Sequence, residues 1–226
     1  MRKQGYAYIL LDLDGTITDS KEGLLESYRA GLAAVHFSDY TEEQLLSFLG
    51  PPLRQSLKYS FGFDEATLDA AMQGFRERLA VAGIEKNTLY PGVREFLQWA
   101  HGQGKKLIVA TSKTSRIARG ALERCGILGD FDMVAGKDEA GGAGEKAAVI
   151  AYVLEHFPGI QKEECVMIGD RKYDILGARE MGMDAIAVLY GYGSREELES
   201  CCPDALCESL RDVKKSSYRY VKDNRI

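Results

Sequence analysis

Two short acidic stretches hold the side chains best suited to chemistry. In Asp12-Leu13-Asp14-Gly15-Thr16 two carboxylates stand two positions apart. Residues at that spacing on a strand project to the same side, so both carboxyl groups would meet at one place. Such a pair can divide the tasks of nucleophile and general acid or base. Alone, the stretch serves equally as an acidic turn with Asp capping a helix. Gly169-Asp170-Arg171-Lys172-Tyr173-Asp174 adds two more carboxylates. A GDxxxD pattern is weak by itself, because Asp is common at helix starts. Four carboxylates gathered at one edge would repel one another unless a cation lay among them. Hard oxygen donors with no His or Cys nearby point to Mg2+ as that cation.

Two further residues suit a phosphate. Thr111 closes an apolar run and offers a hydroxyl; Lys146 opens a helical pattern and offers an ammonium. Each has an ordinary reading as well, Thr111 as a strand-end cap and Lys146 as an exposed helix residue. Their order along the chain, behind the first acidic stretch and ahead of the second, is what joins them.

These residues need a frame that brings distant segments together. Apolar runs without alternation at 8–11, 107–110, 165–168 and 185–189 predict strands covered on both faces, with a weaker one at 133–135. Helical periodicity separates the later ones: Val93, Phe96, Leu97 and Ala100; Ile117, Ala121 and Leu122; Val149, Ile150, Val153 and Leu154. Strand and helix in alternation imply a parallel sheet with helices on both faces, a Rossmann-like α/β core. Both acidic stretches directly follow buried strands, at the carboxyl ends where open α/β sheets bind ligands.

Residues 20–87 break this rhythm, with helical patterns and no convincing buried strand. Thr41 with Gln44 forms a capping-box signature, and Gly50-Pro51-Pro52 stops the helix that follows. Leu68, Met72, Phe75 and Leu79 mark a longer helix ending near Gly83. The division predicted is an α/β core of residues 1–19 and 88–226, interrupted by an inserted all-helical cap domain of residues 20–87. The 226 residues, a length between one domain and two, accord with it.

Composition narrows the class. With 45% hydrophobic and 28% charged residues the chain falls among ordinary globular proteins, not disordered or fibrous ones. No apolar run approaches the ~18 residues of a membrane span, and the N-terminal run leads into acidic residues without a cleavage site. The five cysteines fit neither a CxxC pair nor a zinc spacing, which predicts reduced thiols and a cytoplasmic location. The net charge of −5 hides a tail from Lys214 onward of +4, leaving −9 for the rest. An acidic body argues against a nucleic-acid groove. The basic tail is expected to be solvated and partly ordered.

The motif order, DxDGT, a strand ending in Thr, Lys, then GDxxxD, resembles the haloacid dehalogenase superfamily of phosphohydrolases over residues 8–210. Leu49-Gly50-Pro51-Pro52-Leu53-Arg54, Leu89-Tyr90-Pro91-Gly92, Ala110-Thr111-Ser112-Lys113 and Gly191-Tyr192-Gly193-Ser194-Arg195-Glu196-Glu197-Leu198 look like its phosphoglycolate phosphatase group, closest to the 5′-nucleotidase-like branch. The resemblance implies that Asp12 is the nucleophile and forms an aspartyl-phosphate, while Asp14 protonates the leaving alcohol and then activates water. It implies Mg2+ held by Asp12, the backbone carbonyl of Asp14, Asp170 and Asp174. Thr111, Ser112 and Lys146 would hold the phosphoryl oxygens beneath a closing cap. Arg54 and Lys58, one turn apart on a predicted cap helix, are candidates for a second anionic group of the substrate, with Lys113 and Arg171 secondary candidates.

Dehalogenases of the superfamily lack an Asp at the position of Asp14 and its transport ATPases carry Thr, so Asp14 favours phosphomonoester hydrolysis or mutase chemistry. A sugar phosphomutase remains an alternative, although those enzymes place a cap Arg in Gly-x-x-Arg whereas Arg54 follows Gly50 by four. A non-catalytic binding module is a further one, disfavoured by the intact motifs. The expected partner is a small-molecule phosphoester, for example 2-phosphoglycolate or a 5′-nucleotide, with no nucleic acid and no membrane; the protein is expected to be a monomer or homodimer. His36, His101 and His156 support neither a Ser-His-Asp triad nor a His-metal site. Residues 140–146 lack the GK[ST] ending of a phosphate-binding P-loop.

Overall fold

The computed structural model describes residues 2–141, 145–216 and 218–221. The chain forms two compact units, Met1–Thr18 with Leu89–Ile226, and Asp19–Thr88. Strands β1 (Arg2–Gly5), β2 (Tyr8–Leu11) and β3 (Thr18–Asp19) lead into helices α1 (Lys21–Ala34), α2 (Glu42–Ser47), α3 (Leu53–Phe61) and α4 (Glu65–Glu85). The chain returns through β4 (Thr88–Leu89), then α5 (Val93–Gly102), β5 (Lys106–Thr111), α6 (Ser115–Arg124), β6 (Met133–Gly136) and α7 (Lys146–His156). It continues with β7 (Cys165–Gly169), α8 (Lys172–Glu180), β8 (Asp184–Val188), α9 (Arg195–Ser200), β9 (Ala205–Cys207), α10 (Leu210–Ser216) and β10 (Tyr218–Val221).

In the first unit six strands pair in parallel in the order β6-β5-β2-β7-β8-β9. The side chains alternate between two apolar clusters, as a period of two requires. Ile9, Leu11, Leu107, Val109, Val166 and Ile168 enter one, with residues of α5 and α6. Leu10, Ile108, Ala110, Met167 and Ala187 enter the other, with Val149, Ile150 and Val153 of α7 and Ile175 and Ala178 of α8. Burial on both faces explains why these strands read as continuous apolar runs.

The second unit is helical, with its own core around Leu32, Leu45, Phe48, Leu57 and Leu68. Thr41 closes the predicted capping box: its Oγ1 accepts the Gln44 N–H at 3.2 Å and its own N–H donates to Gln44 Oε1 at 2.8 Å. The long helix α4 runs two residues past Gly83 before Lys86 ends it.

Several elements differ from expectation. The buried first strand is β2; residues ahead of it form β1, which pairs antiparallel with β10. The basic tail is partly ordered, as expected: Lys214 and Lys215 lie in the last turn of α10, and β10 follows. Residue 217 and residues 222–226 of that tail lie outside the described residues, as do 142–144 of the glycine-rich loop. Strand β9 joins the sheet edge unforeseen, because three residues carry too little periodicity to read. Strand β8 begins and ends one residue earlier than predicted.

Candidate active site

The two neighbours of β2 in the sheet explain where the site lies. The chain leaves β2 for β5 and β6 on one side, then reaches β7, β8 and β9 on the other. Where the strand order reverses, loops diverge and open a crevice beyond the strand ends. Asp12 stands there, its N–H donating to Ile168 O at 2.9 Å and so extending the ladder by one residue. By alternation its side chain follows Leu10, toward the face that α7 and α8 cover.

Those two helices supply the next two groups. Lys146, the first residue of α7, donates to Ala110 O at 2.9 Å. Its Nζ also lies 2.8 Å from both Asp12 Oδ1 and Asp174 Oδ1. Far from an exposed helix residue, its side chain is 3% exposed. Gly177 of α8 permits the close helix contact here, since a Cβ would come within 2.9 Å of Lys146 Cβ and Ala147 N.

Asp170 is buried behind the loop after β7. Thr16 Oγ1 donates to its Oδ1 at 3.2 Å, and the Tyr192 N–H donates to its Oδ2 at 2.7 Å. A Cβ on Gly15 would fall 2.1 Å from Asp170 Oδ2, and one on Gly191 would fall 2.3 Å from Asp170 Cβ. Only glycine at those two positions lets the loops close around this carboxylate. Asp174 Oδ2 accepts the Arg171 N–H at 3.0 Å, fixing the first turn of α8. Its Oδ1 is buried and faces the Lys146 ammonium at 2.8 Å.

Electrostatics mark this cluster as short of positive charge. Burial pushes Asp12 up to about 6, against the pull of Lys146 and with the repulsion of Asp174 added. Burial likewise raises Asp170 well above the carboxylate range, helped by Asp174 and Asp12. Lys146 is raised as well: burial would lower it, but Asp12 and Asp174 outweigh that and hold it protonated. Oxygens of Asp12, Asp170 and Asp174 lie within 4.8 Å of one another, and no other such cluster occurs among the described residues. When all three carboxylates are ionised, one ammonium leaves two negative charges uncompensated. A buried, all-oxygen donor set of this kind fits a hard divalent cation.

The other predicted residues fall into place differently. Asp14 does not join the cluster of three; both its oxygens accept hydrogen bonds from Lys113 Nζ at 2.6 Å. Thr111 is buried at the end of β5, its Oγ1 accepting the Lys113 N–H at 3.2 Å, and Ser112 beside it is exposed. Arg54, expected to meet a substrate anion, instead pairs with Asp69 at 2.6 Å and Glu65 at 2.7 Å within the helical unit. Lys58 also pairs with Glu65, and Arg171 pairs with Glu197 through both ends of its guanidinium. Thr16, Tyr192 and Glu197 stand in the motifs quoted from the sequence but receive no role there. Thr16 had a signal, standing beside the acidic pair; Tyr192, in the loop after β8, reaches Asp170, and Glu197 of α9 reaches Arg171 and Lys172, contacts that nothing local in the sequence announces.

The fold and site are those of a doubly wound α/β protein with an acidic cluster at the switch point of its sheet. The chain belongs to the haloacid dehalogenase-like hydrolase family, whose model matches residues 9–188. It is 38% identical to a 5'-nucleotidase of Pseudomonas aeruginosa, over 91% of this chain and 92% of that one. It is 28% identical to a phosphoglycolate phosphatase of Vibrio parahaemolyticus, over 94% and 96%. A relative from Mycobacterium tuberculosis bears the name tyrosine-protein kinase PtkA, 32% identical over 84% of this chain and 65% of its own. The crystal structure of a predicted phosphatase from Clostridium acetobutylicum superposes with a TM-score of 0.85, at 34% identity over 94% of this chain and 98% of that one.

Proposed function

We propose that the protein is a Mg2+-dependent phosphomonoester hydrolase acting on a small phosphorylated metabolite, 2-phosphoglycolate or a 5′-nucleotide, through an aspartyl-phosphate. The observation that carries this reading is the contact of Asp12 with Lys146 inside the cluster it shares with Asp170 and Asp174. A carboxylate at the open end of the central strand is placed to attack phosphorus. Lys146, held at 2.9 Å by Ala110 O, is placed to neutralise a phosphoryl oxygen as charge moves in the transition state.

Asp12 Oδ attacks phosphorus, the P–O bond to the leaving alcohol breaks, and Asp14 gives that oxygen its proton. Asp14, now a carboxylate, takes a proton from water, whose oxygen attacks the acyl phosphate and returns Asp12. Thr111 and Ser112 hold phosphoryl oxygens at the end of β5. Asp12, Asp170, Asp174 and the carbonyl of Asp14 would hold Mg2+, which when bound offsets the repulsion between carboxylate and phosphate. Asp170, buried and cradled by Thr16 and Tyr192, fixes the geometry of that set.

The inserted helical unit is the cap domain in this reading. Arg54 is left out of the reaction because Asp69 and Glu65 already satisfy its guanidinium. The phosphomutase alternative, which rests on Asp14 and the helical insertion and not on Arg54, is separated by the assay below. Among the described residues no helix is long and apolar enough to cross a membrane, and none of the five cysteines is in a disulfide. With these we propose a cytoplasmic enzyme, monomer or homodimer, that needs neither nucleic acid nor membrane. The test is phosphate release from 2-phosphoglycolate, nucleoside 5′-monophosphates and a sugar phosphate, with and without Mg2+. Turnover abolished in Asp12→Asn is expected; no hydrolysis of any phosphoester with metal present would overturn the proposal.

A further inference from the structure

Lys113 has no part in the chemistry just described, yet it is among the most confined charges in the protein. Its side chain is 4% exposed. The backbone around it is pinned, with its N–H donating to Thr111 Oγ1 at 3.2 Å and its carbonyl accepting the Lys137 N–H at 3.0 Å. From that fixed base Nζ reaches both oxygens of Asp14 at 2.6 Å. Asp14 itself lies past the end of β2, where a single bridge to Thr18 continues the backbone pairing. Of the hydrogen bonds described for its carboxylate, both come from Lys113.

We infer that Lys113 is the positioning residue for Asp14, fixing the orientation of its carboxyl group relative to the leaving oxygen rather than binding a substrate anion. This rests on the role assigned to Asp14 above. An ammonium bridging both oxygens restrains rotation of the carboxylate about its last bond. A proton donor must lie within hydrogen-bond reach of the oxygen it protonates. A group free to turn at the mouth of a crevice meets that condition only part of the time. Thr111 thereby gains a second task, since its hydroxyl anchors the backbone that carries Lys113.

Leaving-group dependence separates positioning from substrate binding. Proton donation matters for an alkyl alcohol and hardly at all for p-nitrophenolate, which leaves unaided. The measurement is kcat/KM, which reports steps up to formation of the aspartyl-phosphate, for p-nitrophenyl phosphate and for the best alkyl phosphate found. Because a 1 Å misplacement of a reacting group costs up to about 10²-fold, Lys113→Met is expected to lose about 10²-fold on the alkyl ester and under about threefold on the p-nitrophenyl ester. Lys113→Arg, which keeps a cation over the carboxylate, is expected to recover most of the difference; Lys113→Gln, which keeps a polar head but removes the charge, carries the test if Lys113→Met does not fold. Asp14→Asn is measured on the same pair. If Asp14→Asn shows the selective loss and the Lys113 variants lose both esters equally through KM, Lys113 binds substrate and the inference falls. If Asp14→Asn shows no selectivity, the role of Asp14 falls, and this inference with it.

Discussion

Lys146 in the α/β unit and Arg54 in the helical unit each face two carboxylates at 2.6–2.8 Å, and the two clusters differ in nearly every other respect. Around Lys146 the ammonium is 3% exposed and Asp174 is 1% exposed. Around Arg54 the guanidinium is 39% exposed and its partners Glu65 and Asp69 are 64% and 71% exposed. Water and salt screen the second set, so its ion pairs contribute little to stability. In the first set the apolar strands strip water away, so each charge depends on its neighbours and on whatever else enters the crevice. Chemistry belongs where charge is confined, and the helical unit's visible salt bridges are surface features.

The comparison is easiest to break at its centre. Asp12→Asn removes the nucleophile and should lower kcat by at least about 10⁴-fold, by analogy with the loss of covalent nucleophiles elsewhere. Steady-state phosphate release on the best substrate measures it; residual turnover near wild type would assign the attack to another group. Next in size, Lys146→Met should cost about 10²–10³-fold in kcat, the scale of losing one preorganised transition-state contact. It should also destabilise the metal-free fold by about 3–5 kcal/mol, because two buried carboxylates lose their cation. Urea unfolding would detect that loss, and an unchanged midpoint would contradict the confined-charge picture.

A smaller effect concerns pH. Asp12 and Asp170 are raised in the folded state, so the stability they contribute is full below the unfolded value near 3.8 and is lost as pH rises through about 6 for Asp12. Divalent cation should reverse that loss where the carboxylates are ionised. At a hundredfold excess over Kd the gain is about 2.7 kcal/mol. For a chain of this size that amounts to several degrees in Tm, at roughly 2–4 °C per kcal/mol. Melting with and without Mg2+ at pH 7.5 and pH 5 should show the larger shift at pH 7.5; equal shifts would place the cation elsewhere. Smallest of all, Arg54→Ala should leave the melting temperature unchanged at physiological salt. A clear drop, abolished by high salt, would mean that the exposed network carries more than its solvation suggests.

The two regions also differ in how they could be read in advance. Residues 8–11, 107–110 and 165–168 announced themselves because burial on both faces demands uninterrupted apolar residues, and Asp12, Asp170 and Asp174 stood out by following them. Thr41 with Gln44 was legible because a capping box is local. Arg54 is ambiguous, since a basic pair on one helix face looks the same whether substrate or Glu65 and Asp69 satisfy it. Lys146 carries two readings for a related reason, and motif order, not local pattern, is what selects it: nothing local distinguishes an exposed helix-start lysine from one buried against a strand end. Strand β9 and the β1–β10 pairing were invisible because short edge pairings borrow their stability from neighbours.

The sequence by itself determined the sheet-and-helix alternation, the helical insertion and the carboxylates at strand ends, since each follows from local periodicity and residue type. Only the tertiary structure decided which charges meet. It took folding to set Lys146 between Asp12 and Asp174, Thr16 and Tyr192 on Asp170, and Lys113 on Asp14, contacts between residues up to 154 positions apart. Those contacts depend on the strand order reversing at β2, which draws the ends of β5 and β7 to either side of one aspartate.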